Sequence, residues 1–257
     1  MKVSYFKLAT FQQCPLKYRF LYVDWLGKQY RKPRPPMSMG ESIHRALRDF
    51  FRIPSPEDRS LEKLHYLLRK NWIRDGFGNQ DEERIWGRKA LKILERFYHS
   101  NDCRVQPLFT ELNFEVKIED LIFVGVVDRI DRLDSGIFQV IEYKTGAKSM
   151  TSEEADRDLQ LTFYNLAIRE KYHFEPIKLT IYFLQSNKQI NTFRTDEQLQ
   201  EGLREITNIV EKIKSNREFE PQRNHLCPWC DFLEICPIRD EIRIPIKEMV
   251  YPEDLPF

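Results

Sequence analysis

Two constellations in this chain hold residue types that do chemistry. The first is His225-Leu226-Cys227-Pro228-Trp229-Cys230-Asp231-Phe232-Leu233-Glu234-Ile235-Cys236, which places three of the five cysteines in a C-x2-C-x5-C spacing. Thiolates crowded into ten residues can converge on one point, which suits a metal centre better than a disulfide framework. An odd cysteine count points the same way. A fourth ligand is required, and Cys14 and Cys103 are the candidates, with His225 a weaker competitor. Cys14, Cys227 and Cys236 are each followed by proline, which fixes φ and keeps the ligand from being absorbed into a continuing helix. Cys103 lacks that proline, so Cys14 is assigned as the fourth ligand and Cys103 as a spare thiol. The spacing leaves iron–sulfur and zinc both open.

The second constellation is acidic. Asp134-Ser135-Gly136 reads as a tight turn between two period-two segments. A three-residue loop there pairs Leu133 with Ile137, and every paired position then sums to 270. Asp128 falls opposite Glu142, at a Cβ separation of about 4.5–5.5 Å where two unscreened carboxylates repel. Lys144, two residues on, shares the face of Glu142. Two carboxylates and an ammonium on one face of a sheet suit a hard divalent cation, Mg²⁺ or Mn²⁺, with a cationic neighbour. A register slip of one residue would separate the pair.

These residues need a frame, and the 257-residue chain is long enough for one large domain or two small ones. Apolar residues make up 41% and charged residues 32%, which excludes wholesale disorder. No apolar run approaches ~18 residues, so no transmembrane helix is expected. The N-terminal stretch lacks the form of a secretion signal, and a cytoplasmic location is expected. With 41 Lys and Arg against 40 Asp and Glu, there is no global field to attract nucleic acid, and any such role must rest on local patches. Residues 17–34 form one, with Lys17, Arg19, Lys28, Arg31, Lys32 and Arg34 against Asp24. It reads either as a solvated loop or as a phosphate-contacting segment.

Ser38 to Glu41 reads as a capping box opening a helix through about Phe51. Helical patterns follow at about 61–74 and 82–99. Period two then takes over: Thr110, Leu112, Phe114, Val116 and Ile118 share one face of a strand, a second strand runs to about Leu133, and a third spans 137–144. Thr151 to Glu154 is a second capping box, opening a helix to about Lys171. Strands near 178–185 and 189–194 and an amphipathic helix near 197–215 complete the pattern. The fold class is α/β (α+β), a central mixed sheet flanked by helices. One domain over 1–257 is expected, with helices at about 38–100, a core at about 107–195, and a C-terminal helix and metal knot at about 197–240 joined by Cys14. Residues 241–257 match nothing in this scheme.

Asp128, thirteen residues, then Glu142-Tyr143-Lys144 resembles the D…E-x-K active site of the PD-(D/E)xK nucleases. More narrowly, the chain resembles the RecB-type branch with a four-cysteine iron–sulfur cluster, which includes the CRISPR-associated four-cysteine nucleases. Gly40 to His44 fits the G-x-x-x-H helix of that branch, Gln160 to Tyr164 fits its Q-x-x-x-Y helix, and the cysteines fit its cluster ligands in order and spacing. The first motif departs from the pattern in carrying no proline before Asp128. The resemblance implies a restriction-endonuclease-like core with a helical N-terminal insertion. It implies a metal held by Asp128, Glu142, the Tyr143 carbonyl and His44, and a Lys144 that positions water. It also implies a [4Fe–4S] cluster on Cys14, Cys227, Cys230 and Cys236. Gln160 and Tyr164, four apart on one helix, share a face and would guide DNA, with Tyr164 stacking on a base. Glu111 is a further acid. The implied activity is metal-dependent exonucleolytic hydrolysis of single-stranded DNA ends in repair or recombination. The alternatives are CRISPR prespacer trimming beside an integrase and a non-catalytic nucleic-acid adaptor. No phosphate-binding G-x4-G-K-[ST] loop is present, so a helicase motor would have to come from a partner.

Overall fold

The computed structural model describes residues 1–243, so most of the unassigned C-terminal stretch, 244–257, lies outside the described residues. The helices are α1 (Tyr5–Gln13), α2 (Pro15–Tyr22), α3 (Gly27–Tyr30), α4 (Pro35–Phe51), α5 (Leu61–Lys70), α6 (Gln80–Ser100), α7 (Ser152–Asp156), α8 (Leu159–Tyr172) and α9 (Asp196–Ser215). The strands are β1 (Lys2–Val3), β2 (Phe109–Ile118), β3 (Leu121–Arg132), β4 (Phe138–Lys144), β5 (Ile177–Phe183) and β6 (Lys188–Thr192).

The six strands form one mixed sheet in the order β1-β3-β4-β5-β6, with β2 also on β3. β2, β3 and β4 run antiparallel through short turns, whereas β4 and β5 are parallel and joined by the α7–α8 crossover. The β3–β4 hairpin has the register that its turn dictates. Leu133 N–H donates to Ile137 O at 2.9 Å, and pairs run from Arg132↔Phe138 to Arg129↔Ile141, each summing to 270. Gly136 supplies the positive φ of +84° that this turn requires.

Beyond Arg129↔Ile141 the sheet forks. β3 continues along β2, while β4 follows β5 through Glu142↔Ile181 to Lys144↔Phe183. The edge of β3 that β4 vacates is taken by β1 in parallel, with Val3 beside Phe123. At the fork both strands of the β2–β3 pair exchange faces. Leu112, Phe114, Val116 and Ile118 pack with Val127 and Phe123 against one core, but the next inward residue of β2 is Phe109, not Thr110. Thr110 instead accepts a hydrogen bond from Arg52 Nε at 2.9 Å. The exchange occurs at Glu111, which sits opposite Asp128 with φ +51°, a conformation uncommon for a non-glycine residue.

Two cores sandwich the sheet. One joins it to α1, α8 and α9 through Phe123, Val140, Leu161, Phe163, Ile206 and Val210. The other joins it to α4, α5 and α6 through Ile43, Leu47, Phe50, Leu64, Ile93 and Tyr143. β4 is buried on both faces, as a central strand covered by helices must be. α8 and α9 approach closely at Gly202, where a Cβ would collide with Thr162.

Several boundaries differ from the sequence reading. α4 starts at Pro35, with Pro35 and Pro36 in the first turn where a missing N–H costs nothing. Ser38 is therefore inside the helix, donating to Asp75 O at 2.6 Å rather than capping. The Thr151–Glu154 capping box forms, but it opens only α7. Asp158 then caps α8 by accepting the Leu161 N–H at 2.8 Å. Residues 17–34, read as loop, contain most of α2 and all of α3.

Candidate active site

The fork gathers side chains from four elements. Asp128 ends the β3–β4 ladder by putting its own carboxylate where a strand carbonyl would sit: its Oδ2 accepts the Tyr143 N–H at 2.7 Å. Its Oδ1 stands 3.0 Å from Nδ1 of His44, which projects from α4. Glu111, from the strained position on β2, completes a group of three. Among the described residues, His44, Glu111 and Asp128 each offer a ligand atom within 4.8 Å of the other two.

Glu142 lies one ladder step beyond Ile141 and is turned toward α8. Its Oε1 accepts from Lys144 Nζ at 2.9 Å and from Gln160 Nε2 at 2.8 Å. Gln160 is 3% exposed and uses its whole amide: Oε1 accepts from Lys144 at 2.7 Å, and Nε2 also donates to the Tyr164 hydroxyl at 3.0 Å. Glu142 is therefore absent from the three-residue group, although Asp128, His44 and Lys144 are near enough to act on it electrostatically. The expected stacking of Tyr164 on a base does not fit this placement. Its ring is 4% exposed and packs edge-on against Phe114 at 6.1 Å. Tyr164 instead supports Gln160 from behind.

The charge states follow from crowding. Burial opposes ionisation of Glu142 and Glu111, and the Asp128 charge adds to it, so both carboxyls are pushed above the usual range. Asp128 goes the other way: despite burial, His44 and the Tyr143 N–H hold its carboxyl low. Burial would lower the His44 pKa, but Asp128, with Glu142 and Glu111, pushes it up to about 9. Three acids thus crowd one cleft with His44 and Lys144, and the donor set of two carboxylates and an imidazole at its centre suits a divalent cation. Sequence reasoning undervalued Glu111 and overlooked Tyr5, whose hydroxyl, at the start of α1, interacts with Asp158, Lys144 and Glu142. An aromatic residue at the start of a short helix gives no sequence signal of such a neighbourhood.

α1 links this centre to the cysteines. Tyr5 is near its first turn, and Cys14 follows its last residue and precedes Pro15 of α2. Cys14 lies with the C-terminal group: it acts electrostatically on Cys230 and Cys236, and Asn224 Nδ2 donates to Gln13 O at 3.2 Å. Each sulfur accepts a backbone N–H, Cys14 from Gln222 at 3.4 Å, Cys227 from Asn224 at 3.3 Å, Cys230 from Phe232 and Cys236 from Ile238. Burial pushes the Cys230 and Cys236 thiols up, and the neighbouring Cys14 sulfur adds to both shifts. The fold thus brings Cys14 into the neighbourhood of the three C-terminal cysteines, and each of the four sulfurs receives a backbone N–H.

Cys103 is elsewhere. It packs against the α4–α6 core, and its Sγ stands 3.8 Å from Tyr98 O as a thiol donor. Burial pushes its pKa up to about 11 from about 9. Alkylation of Cys103 at pH 8 should therefore run about 100-fold slower than in the unfolded chain, because the thiolate is the nucleophile. Peptide mapping of iodoacetamide-treated native and denatured protein measures this, and equal rates would contradict the buried placement.

The basic segment is partly committed. Lys17 donates to Gln13 and Arg19 to Asp24. Lys32 pairs with Glu234 at 2.6 Å and Arg34 with Asp231 at 2.7 Å, fastening α3 and its flank to the cysteine knot.

Comparison with known proteins gives a consistent relationship. A family model described as the PD-(D/E)XK nuclease superfamily matches residues 2–237. A subunit of the ATP-dependent helicase/deoxyribonuclease of Streptococcus agalactiae serotype Ia is 29% identical over 172 residues, covering 64% of this chain and 15% of that protein. The corresponding protein from Streptococcus mutans serotype c is 29% identical over 183 residues, covering 66% and 16%. The chain thus spans about 15% of the length of these relatives. Among solved structures, a protein from Eubacterium rectale described as a candidate exonuclease superposes with a TM-score of 0.51 at 13% identity, over 96% of this chain and 90% of that one. That likeness is one of fold.

Proposed function

This chain belongs to the PD-(D/E)XK nuclease superfamily, and we propose that it is a divalent-metal-dependent deoxyribonuclease that hydrolyses single-stranded DNA from a free end. The observation carrying this reading is the convergence of His44, Glu111 and Asp128 at the fork of the sheet, beside the Glu142–Lys144 pair. Nucleases of this superfamily use divalent metals. Asp128, Glu142, His44 and the Tyr143 carbonyl would hold Mg²⁺ or Mn²⁺, with Glu111 as a further ligand. A bound cation of this kind lowers the pKa of water and offsets charge on a scissile phosphate.

The chain's own groups perform the remaining tasks. Burial disfavours the Lys144 ammonium, but Glu142 holds it charged, with its pKa above the usual lysine range. It would place an attacking water and counter charge developing on the phosphate. Gln160 orients Lys144 and Glu142 together, and Tyr164 fixes the Gln160 amide. The site lies beneath α4 and α8, where a flexible single strand enters more readily than a stiff duplex.

The four cysteines would carry a [4Fe–4S] cluster with a structural role. One tetrahedral Zn²⁺ at about 2.3 Å from each thiolate would bring the sulfurs to about 3.8 Å of one another. The separate irons of a cluster would hold the same sulfurs further apart, and metal analysis of the anaerobic protein separates the two readings. The name of the streptococcal relatives favours a helicase partner over a CRISPR integrase, with repair or recombination as the setting.

The test is anaerobic purification, then Mg²⁺- or Mn²⁺-dependent assays on linear and covalently closed single-stranded DNA of one sequence. Linear DNA should be degraded and the closed circle spared. Equal cleavage of the circle would leave an endonuclease. No cleavage of any DNA or RNA by metal-loaded protein would leave a nucleic-acid adaptor.

A further inference from the structure

The turn between α2 and α3 carries a side chain that the fold does not use. α2 ends with a closing hydrogen bond from Leu26 N–H back six positions to Phe20 O at 2.8 Å, and with Asp24 N–H to Arg19 O at 2.9 Å. This closure puts one residue in the left-handed region, a position that glycine or asparagine normally fills. Here it is Trp25, with φ +57°. A bulky residue is strained in that conformation, and burial does not compensate for it, because Trp25 is 75% exposed. Val23 beside it is 49% exposed.

The base beneath the indole is firm. Phe20 and Tyr30, from the two flanking helices, both pack on Phe232 of the cysteine knot at 5.3 and 5.9 Å, and Phe232 is 1% exposed. The charges around the turn are basic. Lys28 and Arg31 are exposed and have no carboxylate partner among the described residues, and the one acid of the segment, Asp24, is held by Arg19 at 3.1 Å. An exposed aromatic plane on a rigid turn, flanked by uncommitted cations, is complementary to a polyanion that carries stackable faces.

We propose that the α2–α3 turn is a docking site for single-stranded nucleic acid, in which a base stacks on Trp25 while Lys28 and Arg31 hold adjacent phosphates. The site would grip the strand away from the reacting phosphate, so it deepens and rests on the nuclease reading above. It also moves the stacking contact from the buried Tyr164 to a residue that solvent can reach. The uncommitted cations favour a nucleic acid over a protein partner at this turn.

The test uses the whole protein in chelator, so that binding is read without cleavage, with an oligodeoxythymidylate as probe. Binding should quench tryptophan fluorescence, and Trp25→Gly should remove most of the quench and weaken affinity roughly tenfold, as loss of one base stack implies. Because glycine suits the left-handed position, Trp25→Gly should melt no lower than the native protein, which separates lost binding from lost folding. Lys28→Ala and Arg31→Ala should each reduce the slope of log affinity against log salt by about 0.7, the value for one phosphate on a single strand. Unchanged affinity and quench in Trp25→Gly would overturn the proposal and leave the turn to a protein partner. Tight, Trp25-dependent binding without cleavage in Mg²⁺ or Mn²⁺ would uphold the docking site and defeat the nuclease reading instead.

Discussion

Asp128→Asn should lower metal-dependent DNA cleavage by roughly 10³-fold or more, about 4 kcal/mol of barrier, while leaving the fold intact. Asparagine has nearly the shape of aspartate, and its Oδ1 can still accept the Tyr143 N–H that closes the ladder. What disappears is the charge that His44 now faces at 3.0 Å and that a cation would face in its place. The remaining acids cannot substitute, because in the proposed site Glu142 and Glu111 are already ligands in their own right, and Glu142 Oε1 also accepts from Lys144 and Gln160. Lys144→Ala should be comparably severe, because it removes the cation and also leaves the Gln160 carbonyl without its donor. Tyr164→Phe, which removes only a hydroxyl behind Gln160, should cost less than about tenfold. Initial rates on an end-labelled single strand, with metal affinity by calorimetry and folding by near-ultraviolet circular dichroism, separate these effects. An Asp128→Asn protein that folds and cleaves within tenfold of the native rate would remove Asp128 from the catalytic centre.

How much of this centre could be read beforehand depends on which forces are local. The hairpin register from Arg132↔Phe138 to Arg129↔Ile141 was legible because the Asp134-Ser135-Gly136 turn sets loop length within three residues, and a glycine with φ +84° lies at the required place. The expected Asp128–Glu142 pair does not form, because the ladder ends one step short, where the Asp128 carboxylate accepts the Tyr143 N–H. The exchange of faces at Glu111 was not legible. A non-glycine residue at φ +51° leaves no signature in residue type, so period two was carried one residue too far, to Thr110. The cap at Ser38 failed for the opposite reason: the S-x-x-E pattern is local, but the Pro35-Pro36 pair upstream starts the helix first. Gln160 and Tyr164 were correctly placed one turn apart on one helix, yet their burial depends on α8 packing across the fork, which is a tertiary fact. The α2 and α3 helices were hidden by composition, since their cations read as solvent-facing loop until Phe20 and Tyr30 are seen against Phe232.

If the proposed cluster is held as inferred, Cys14→Ala should lower thermal stability sharply and remove the iron–sulfur centre in one step. Cys14 and Cys227 stand more than two hundred residues apart in the chain, yet their sulfurs share one neighbourhood with Cys230 and Cys236. A covalent clasp over such a span removes much of the freedom of the unfolded chain. By analogy with a disulfide closing a loop of that length, this contributes about 5 kcal/mol. At about 2–4 °C per kcal/mol for a chain of this size, the melting temperature should fall by roughly 10–20 °C. The loss should reach the catalytic fork, because α1 runs from Cys14 back to Tyr5 beside Lys144 and Glu142. Noncovalent contacts of the clasp, such as Asn224 on Gln13 O and Arg34 on Asp231, persist in the variant and keep the effect below complete unfolding. Cys103→Ala is the control. Its thiol donates only to Tyr98 O, so it should retain the cluster and lose no more than about 1–2 kcal/mol of packing. Iron and sulfide analysis beside a thermal melt decides the matter. A Cys14→Ala protein with full iron and an unshifted melt would break the clasp, and stoichiometric zinc in the anaerobic native protein would replace the cluster with a single ion held by the same four thiolates.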